Sequence, residues 1–335
     1  MLAAWYESQG PARDVLIVGE VPVPTPAAGE LRIRMAASGI NPGDLKKLQD
    51  AFGVGMPYPR VIPHSDGAGI VDAVGAGVPN SRLGERVWCF GAQSYRAFGT
   101  AAEAAVVPAE QAIPLPDGVD LQVGACLGIP GITAHRCLYA GGPVAGRTVL
   151  VQGGAGSVGT IVVGLARAAG ARVLATVRST ADVEAIKLAG AEAVIVTGHR
   201  RPGEILADIR RMATDGVTHI VEVAFDQNVD LDMEALAQGG SIAAYATADP
   251  NPRLPFWQLL FKNARLLLLG SDDFPLEAKR EAAAAMNELL ARGWQGIRID
   301  RAFSLKDIVQ AHDYLERKRR PGRVVLCIPH LATTE

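Results

Sequence analysis

At 335 residues the chain is longer than one hydrophobic core usually grows, so two domains are expected. Hydrophobic residues make up 49% and charged residues 20%, the balance of a globular protein with apolar material for substantial cores. A formal net charge of -2 gives no electrostatic reason to expect nucleic acid or an anionic membrane as the main partner.

Further exclusions are local. Basic residues cluster at Arg200-Arg201, Arg210-Arg211 and Lys318-Arg319-Arg320, short runs of the kind found on solvated helix faces and loops. Cys89, Cys126, Cys137 and Cys327 are scattered, without the paired spacing of a zinc lobe, a redox dithiol or a disulfide framework, which fits a reducing compartment. The N-terminal MLAAWYESQGPARD has neither a basic n-region nor a long apolar h-region, and no apolar run is long enough to span a bilayer. The expectation is a soluble, cytoplasmic protein.

In chain order, Leu31, Ile33 and Met35 alternate with Arg32 and Arg34, the period-2 pattern of a half-buried strand. Pro22, Pro24, Pro26, Gly29, Asn41-Pro42-Gly43 and Pro79-Asn80 punctuate this first third, with short strands expected at Ala68 to Val74 and Ala104 to Val107. From Val149 to about Gly270 strands and helices alternate, the pattern of a parallel sheet. Strands are expected at Val149 to Val151, Val173 to Val177, Ala193 to Val196, Thr218 to Val223, Ser241 to Ala246 and Arg265 to Leu269. Between the first two, Val158, Ile161, Val162 and Leu165 share one helix face, and Gly170 is placed to end the helix. Six such strands complete a doubly wound dinucleotide fold. A helix near Glu277 to Arg292, the segment Gly296 to Phe303, a helix from Leu305 to about Arg317 and a strand at Arg323 to Ile328 follow. The tail is expected to return to the N-terminal β-domain, giving a division into 1–121, 122–270 and 271–335.

The strongest chemical signal is TVLVQGGAGSVGTIVVGLARAAG, where Gly154, Gly156 and Gly159 supply G-x-G-x-x-G between a strand and an amphipathic helix. One glycine permits the tight turn, one lets backbone amides approach a pyrophosphate, and one packs helix on strand. The stretch Gly153, Gly154, Ala155, Gly156, Ser157, Val158 and Gly159 is therefore the expected phosphate cradle, helped by the positive end of the helix dipole. At the end of the second strand, where an NAD-preferring site carries Asp or Glu, the sequence reads ATVRST. Arg178, Ser179 and Thr180 offer positive charge and hydroxyl donors to a 2′-phosphate, which favours NADPH. The alternative is a solvent-facing arginine at a strand end. Arg200 is a second, weaker candidate for the same task, or a charged loop residue.

GINPGDLKK, then PHSDGAGIV, then GIPGITAHRCL ahead of GGAGSVG, with VEVAFDQNVDLDMEALAQGG and the ending GRVVLCIP, resemble the medium-chain dehydrogenase/reductases, and among them the zinc-free, zeta-crystallin-like quinone oxidoreductases. The resemblance covers essentially the whole chain. It implies a Rossmann doubly wound parallel sheet plus a GroES-like β-rich catalytic domain, with the active site in the cleft. Asn41 matches the asparagine near the nicotinamide in that branch, where zinc alcohol dehydrogenases place a cysteine ligand. Ser65-Asp66 replaces a His-Glu pair that supplies a second ligand, and His64 is one residue out of register. The resemblance places Thr133 close to the nicotinamide and sets Gly239-Gly240 ahead of a strand whose end faces it, where the pair could equally be a plain helix C-cap. Thr247, just past that strand, is a further cofactor candidate.

Catalytic zinc wants three converging Cys, His or carboxylate ligands, and nothing here provides Cys or His at such spacing. His64 and Asp66 could chelate in principle, but a His beside an Asp is more often a hydrogen-bonded loop pair. No metal site is expected. Without an ion to stabilise an alkoxide, reduction of a ready electrophile suits the chain better than alcohol oxidation. Asn41 could polarise an acceptor oxygen through its amide N–H, or merely form an Asx turn ahead of Pro42. Thr133 could act near the cofactor or serve as an N-cap or helix-face hydroxyl. Tyr58, which the resemblance sets near the substrate, could donate a proton or be a packed loop residue. Phe90, Tyr95 and Phe98 could shape the acceptor pocket or cover the core.

The apolar strand Ala264 to Leu269 at the sheet edge needs cover, so a homodimer through Leu266–Leu269 is expected, within a tetramer as an extension, unless a loop or the tail covers it. The expected activity is NADPH-dependent, metal-free hydride transfer to a quinone. Reduction of the C=C bond of an enone, alkenal or enoyl thioester is the enzymatic alternative. A nucleotide-binding protein with a structural or RNA-binding role is the alternative of another class.

Overall fold

Alternation along Glu30–Ile40 produces the strand that organises the N-terminal unit, with Leu31, Ile33 and Met35 fully buried on one face. The computed structural model describes residues 1–317 and 321–328, so the basic run Lys318-Arg319-Arg320 lies outside the described residues. By its internal contacts the chain divides into two units, Met1–Ile129 with the described residues from Arg298 onward, and Pro130–Ile297.

In the first unit β1 (Leu2–Trp5) and β2 (Ile17–Glu20) form a hairpin-like pair. The main sheet contains β3 (Glu30–Ile40), β4 (Asp66–Val74), β5 (Arg86–Cys89), β6 (Ala104–Pro108) and β7 (Ala112–Pro114). The second unit supplies β8 (Thr148–Val151), β9 (Arg172–Val177), β10 (Ala193–Val196), β11 (Val217–Glu222), β12 (Leu236–Ala244) and β13 (Arg265–Leu268). The chain then returns with β14 (Ile299–Ser304) and β15 (Arg323–Cys327), which pairs antiparallel with β3, Val324 opposite Ile40. The first sheet is ordered β14-β15-β3-β4-β5-β7, with β6 on β3. Its core joins Leu31, Ile33, Met35, Val87 and Val107 to Val324 and Leu326 from the far end of the chain. β1, β2, β5 and β7 are three or four residues long, too short to show a period in sequence.

The second sheet is wholly parallel, ordered β10-β9-β8-β11-β12-β13. This is the six-strand doubly wound order, whose reversal lies between β8 and β11. Its strands fall where the apolar runs put them, with one correction. β12 starts at Leu236 and ends at Ala244, so Gly239-Gly240 lie within the strand span rather than ahead of it or at a helix cap. The pairing jumps from Val217–Leu236 to His219–Ser241, and Gly239 takes φ +70 in the bulge between. The units and the sequence boundaries differ at residues 122–129, which group with the first unit, and at 271–297, which group with the parallel sheet. The helix Leu276–Ala291 buries Met286 in the space Gly131 leaves, and Trp294 stacks onto Gly164 and donates to the Ala189 carbonyl at 3.2 Å.

Candidate functional site

In the second unit, β8 ends at Val151 and the chain turns through 152–156 into the helix Ser157–Ala168. Gly153 has φ +69, the left-handed region that favours glycine. The turn is pinned by Gly154 N–H to the Thr176 carbonyl at 2.7 Å and Gly156 N–H to the Gly153 carbonyl at 2.8 Å. A Cβ on Gly159 would stand 2.4 Å from the Gly153 carbonyl oxygen and 2.9 Å from Gly154 Cα, so only glycine lets the helix approach this closely. A Cβ on Gly156 would meet nothing nearer than the Gly153 oxygen at 3.1 Å, and the residue is exposed. The space it leaves open is a cradle for a ligand rather than for packing. The first-turn amides of Ser157, Val158 and Gly159 have no carbonyl within the helix to bond, and with the helix dipole they suit an anion. Thr160, which sequence reasoning passed over, ties its hydroxyl to the Gly154 and Gly156 carbonyls at 2.9 and 3.0 Å.

Arg178, Ser179 and Thr180 follow β9, all exposed. Among the described residues no ion pair engages Arg178, whereas Ser179 caps the 3-10 turn Thr180–Asp182 by accepting the Ala181 N–H at 3.2 Å. Asp182 closes that turn, an acid the reading of ATVRST stopped short of. Arg200 is otherwise employed. It pairs with Asp208 at 2.8 Å and donates to the Val196 and Glu204 carbonyls at 3.1 Å each, holding the start of the helix Pro202–Met212. Thr247 is half-buried and shares its hydroxyl proton between Asp226 and the Asp249 carbonyl. Thr133 is buried inside the helix Gly128–Tyr139, not at its N-cap.

In the first unit, Asn41 ends β3's run and precedes the helix Pro42–Leu48. Its backbone N–H donates to the Asp44 carboxylate at 2.7 Å, which fixes the helix start. Its side chain is oriented from both ends: Nδ2 donates to Asp66 at 2.7 Å and Oδ1 accepts from the Arg323 guanidinium at 2.9 Å. Sequence reading did not foresee Arg323, which arrives from 282 positions away on β15. Asp66 is fully buried and also accepts the Ile129 N–H at 2.9 Å, in the first turn of the helix Gly128–Tyr139. A Cβ on Gly128 would lie 2.1 Å from its carboxylate. Burial raises the Asp66 pKa to about 7, against the lowering pull of the Asn41 hydrogen bond and the Arg323 charge.

His64, at φ +74, is not paired with Asp66 side chain to side chain. It joins a separate buried chain, His64 Nδ1 to the Ser38 hydroxyl at 2.9 Å and Ser38 to Thr100 at 2.7 Å, and stacks on His312 with Nε2 atoms 2.9 Å apart. Burial holds both rings neutral, His64 well below its ordinary value and His312 down to about 4. Tyr58 gives its hydroxyl proton to the Tyr95 carbonyl at 2.6 Å, so donation to a substrate would require that bond to break. The aromatics of the same region divide: Trp88 and Phe90 are core, Tyr95 and Phe98 are 71% and 53% exposed. Among the described residues no group of three or more His, Cys, Asp or Glu side chains is placed to hold a metal ion.

A two-unit oxidoreductase with a dinucleotide turn is the class these features define. Family models agree: the alcohol dehydrogenase GroES-like domain matches residues 27–117, and the zinc-binding dehydrogenase model matches 157–286. Quinone oxidoreductase of Rattus norvegicus is 30% identical over 332 residues, covering 96% of each chain, and that of Homo sapiens is 28% identical over 96% of each. A mycobacterial structure complexed with NADPH superposes with a TM-score of 0.84 at 27% identity, covering 98% of this chain and 100% of the other. A mycobacterial quinone oxidoreductase gives 0.83 at 28%, covering 98% and 99%. The chain belongs to the medium-chain dehydrogenase/reductase superfamily, in its zeta-crystallin-like quinone oxidoreductase branch.

Proposed function

We propose that this protein is a cytoplasmic NADPH:quinone oxidoreductase that works without a metal ion. The observation that carries the cofactor is the turn itself: a left-handed Gly153, a Gly159 that admits no Cβ, and an open face at Gly156. The amides from Gly153 to Gly159 would hold the diphosphate, with Arg178, Ser179 and Thr180 on the 2′-phosphate. Arg200 has the weaker claim, since its guanidinium already serves Asp208. When bound, NADPH supplies the hydride. Thr133 and Thr247 line its nicotinamide side in this reading. Asn41 presents an N–H to the acceptor oxygen: the amide carries two hydrogens, and Asp66 takes one. Tyr58 is a lesser candidate for the proton, and water supplies it otherwise. The quinone gains one hydride and one proton and leaves as hydroquinone.

NADPH absorbance is to be followed with a quinone, an enone and an enoyl thioester in parallel, with and without a chelator. Quinone turnover untouched by chelation is expected. Turnover confined to the enone or thioester would make the protein a C=C reductase, and tight NADPH binding with no turnover would make it a nucleotide-binding protein. Arg178→Ala should raise the NADPH Kd about ten- to hundred-fold, the range for a charge-assisted contact, with NADH nearly unchanged. Equal losses for the two nucleotides would remove Arg178 from the 2′-phosphate.

The same reading includes a homodimer. β13 ends the parallel sheet with Leu268 71% exposed, and the neighbouring helix Phe256–Phe261 exposes Phe256, Trp257, Leu260 and Phe261. An open edge beside so many apolar side chains calls for a partner. Leu268→Lys with Trp257→Glu should move elution from dimer to monomer mass, and monomer elution of the unaltered protein on dilution would remove the dimer.

A further inference from the structure

Beneath the cofactor turn lies a buried acid that the proposed reaction does not use. Asp232, on the helix Phe225–Ala235, has no solvent exposure, and its Oδ1 accepts from Gln152 Nε2 at 2.7 Å. Gln152 Oε1 accepts the Thr176 hydroxyl proton at 2.8 Å, and the Thr176 oxygen accepts the Gly153 N–H at 3.0 Å. Gln152 and Thr176 are both buried. Donor directions run one way, from the Gly153 amide to the carboxyl. Thr176 has a single proton and spends it on Gln152, so its oxygen must face Gly153. With the Asp232 proton directed to Glu222, the oxygen facing Gln152 can only accept, so a flipped Gln152 would set its carbonyl against that oxygen and its amide against the hydroxyl's proton. The chain therefore fixes every rotor in it.

Among the described residues the second Asp232 oxygen has no hydrogen-bonding partner besides Glu222, which faces it from β11. Glu222 is held in turn by the Ala224 N–H and by Asn228 Nδ2, with the half-buried Tyr245 phenol also facing it. Burial, and then the Glu222 charge, raise the Asp232 pKa well above its ordinary value and favour its neutral form.

We propose that Asp232, Gln152 and Thr176 are positioning residues for the dinucleotide: they anchor the Gly153 amide and so hold the turn in the shape that presents the helix amides. The proposal rests on the NADPH reading for its consequence, while its claim about the turn holds without ligand. Glycines at 153, 154 and 156 make this segment conformationally loose, and the Gly153 bond to Thr176 adds a side-chain anchor to the backbone bond of Gly154 to the Thr176 carbonyl. Anchoring before the ligand arrives lowers the ordering cost of binding.

Two measurements test it on the full chain: amide hydrogen exchange of the turn in the ligand-free protein, and fluorescence titration with NADPH. Thr176→Val keeps the side-chain shape and removes the hydroxyl. It should speed exchange at 153–156 and raise the NADPH Kd about ten-fold, with Thr176→Ser restoring both. Asp232→Leu should match Thr176→Val, whereas Asp232→Asn, neutral and still offering a carbonyl to Gln152, should stay within about two-fold. Wild-type exchange and affinity in Thr176→Val, or a loss in Asp232→Asn as large as in Asp232→Leu, would overturn the proposal. If Asp232→Leu does not fold, the Thr176 pair decides. If the unaltered protein binds no NADPH, the functional reading fails, and exchange in Thr176→Val still decides whether the chain holds the turn.

Discussion

Gly159→Ala should weaken NADPH binding by roughly thirty- to hundred-fold, the equivalent of about 2–3 kcal/mol. The new methyl carbon would stand 2.4 Å from the Gly153 carbonyl oxygen and 2.9 Å from Gly154 Cα, and both neighbours are backbone, which has no rotamer to change. Either the helix Ser157–Ala168 retreats from β8 or the turn opens, and each displaces the amides that grip a diphosphate. Overpacking of this kind also costs the folded state about 1–3 kcal/mol, so the melting temperature should fall as well. Gly156→Ala separates the two effects. Its φ of -74 suits any residue and its Cβ would press only on the Gly153 oxygen at 3.1 Å, so the melting temperature should fall less than in Gly159→Ala while NADPH affinity still falls, because the methyl sits where the ligand must come close. Titration and melting of both variants decide the matter. Unchanged affinity in Gly159→Ala would remove the turn from the cofactor site.

The contrast between these glycines marks how far sequence alone reaches. G-x-G-x-x-G between a strand and a helix announces a local motif, and six apolar runs announce a parallel sheet, because both signals lie within a few residues of each other. Leu31, Ile33 and Met35 likewise reveal their shared face by spacing. What stays hidden is whatever joins distant segments. Asn41 is legible as a candidate, yet its orientation depends on Arg323 from the last strand and Asp66 from β4. Gln152, Thr176 and Asp232 meet only because β8, β9 and the helix after β11 converge. His64 looked like a partner for Asp66, and the fold gives it His312 instead. Arg200 reads as a weaker phosphate candidate or a charged loop residue, and the fold pairs it with Asp208, eight positions on. The bulge at Gly239 stays hidden because a Gly-Gly pair ahead of a strand reads as a helix C-cap until the pairing of Leu236 with Val217 is seen.

Asp66→Asn should make the protein more stable at pH 7 and less active. An acid whose pKa rises from 3.8 to about 7 on folding is protonated in the folded chain while already ionised in the unfolded one. Its contribution is fully present below the unfolded value and is lost as pH climbs to about 7, on the order of 4 kcal/mol at 1.4 kcal/mol per unit. Asparagine removes that loss, since it is neutral at every pH. The His64–His312 pair tilts the other way. Its rings are neutral when folded but accept protons below about 6.5 when unfolded, so stability falls as pH drops from there towards 4, by roughly 3 kcal/mol for His312. In the unaltered protein the two slopes oppose each other between pH 4.5 and 6.5, and Asp232 tilts both proteins alike. Denaturant melts should therefore show a shallow pH dependence for the unaltered protein and a clear rise with pH for Asp66→Asn. Activity should fall because an amide at 66 can donate to Asn41 Oδ1 as well as accept from Nδ2, and so competes with Arg323 for the orientation that only a carboxyl group and a guanidinium together enforce. Parallel pH profiles for the two proteins would show that Asp66 is not held near neutrality by burial, and unchanged turnover would show that Asn41 needs no such alignment.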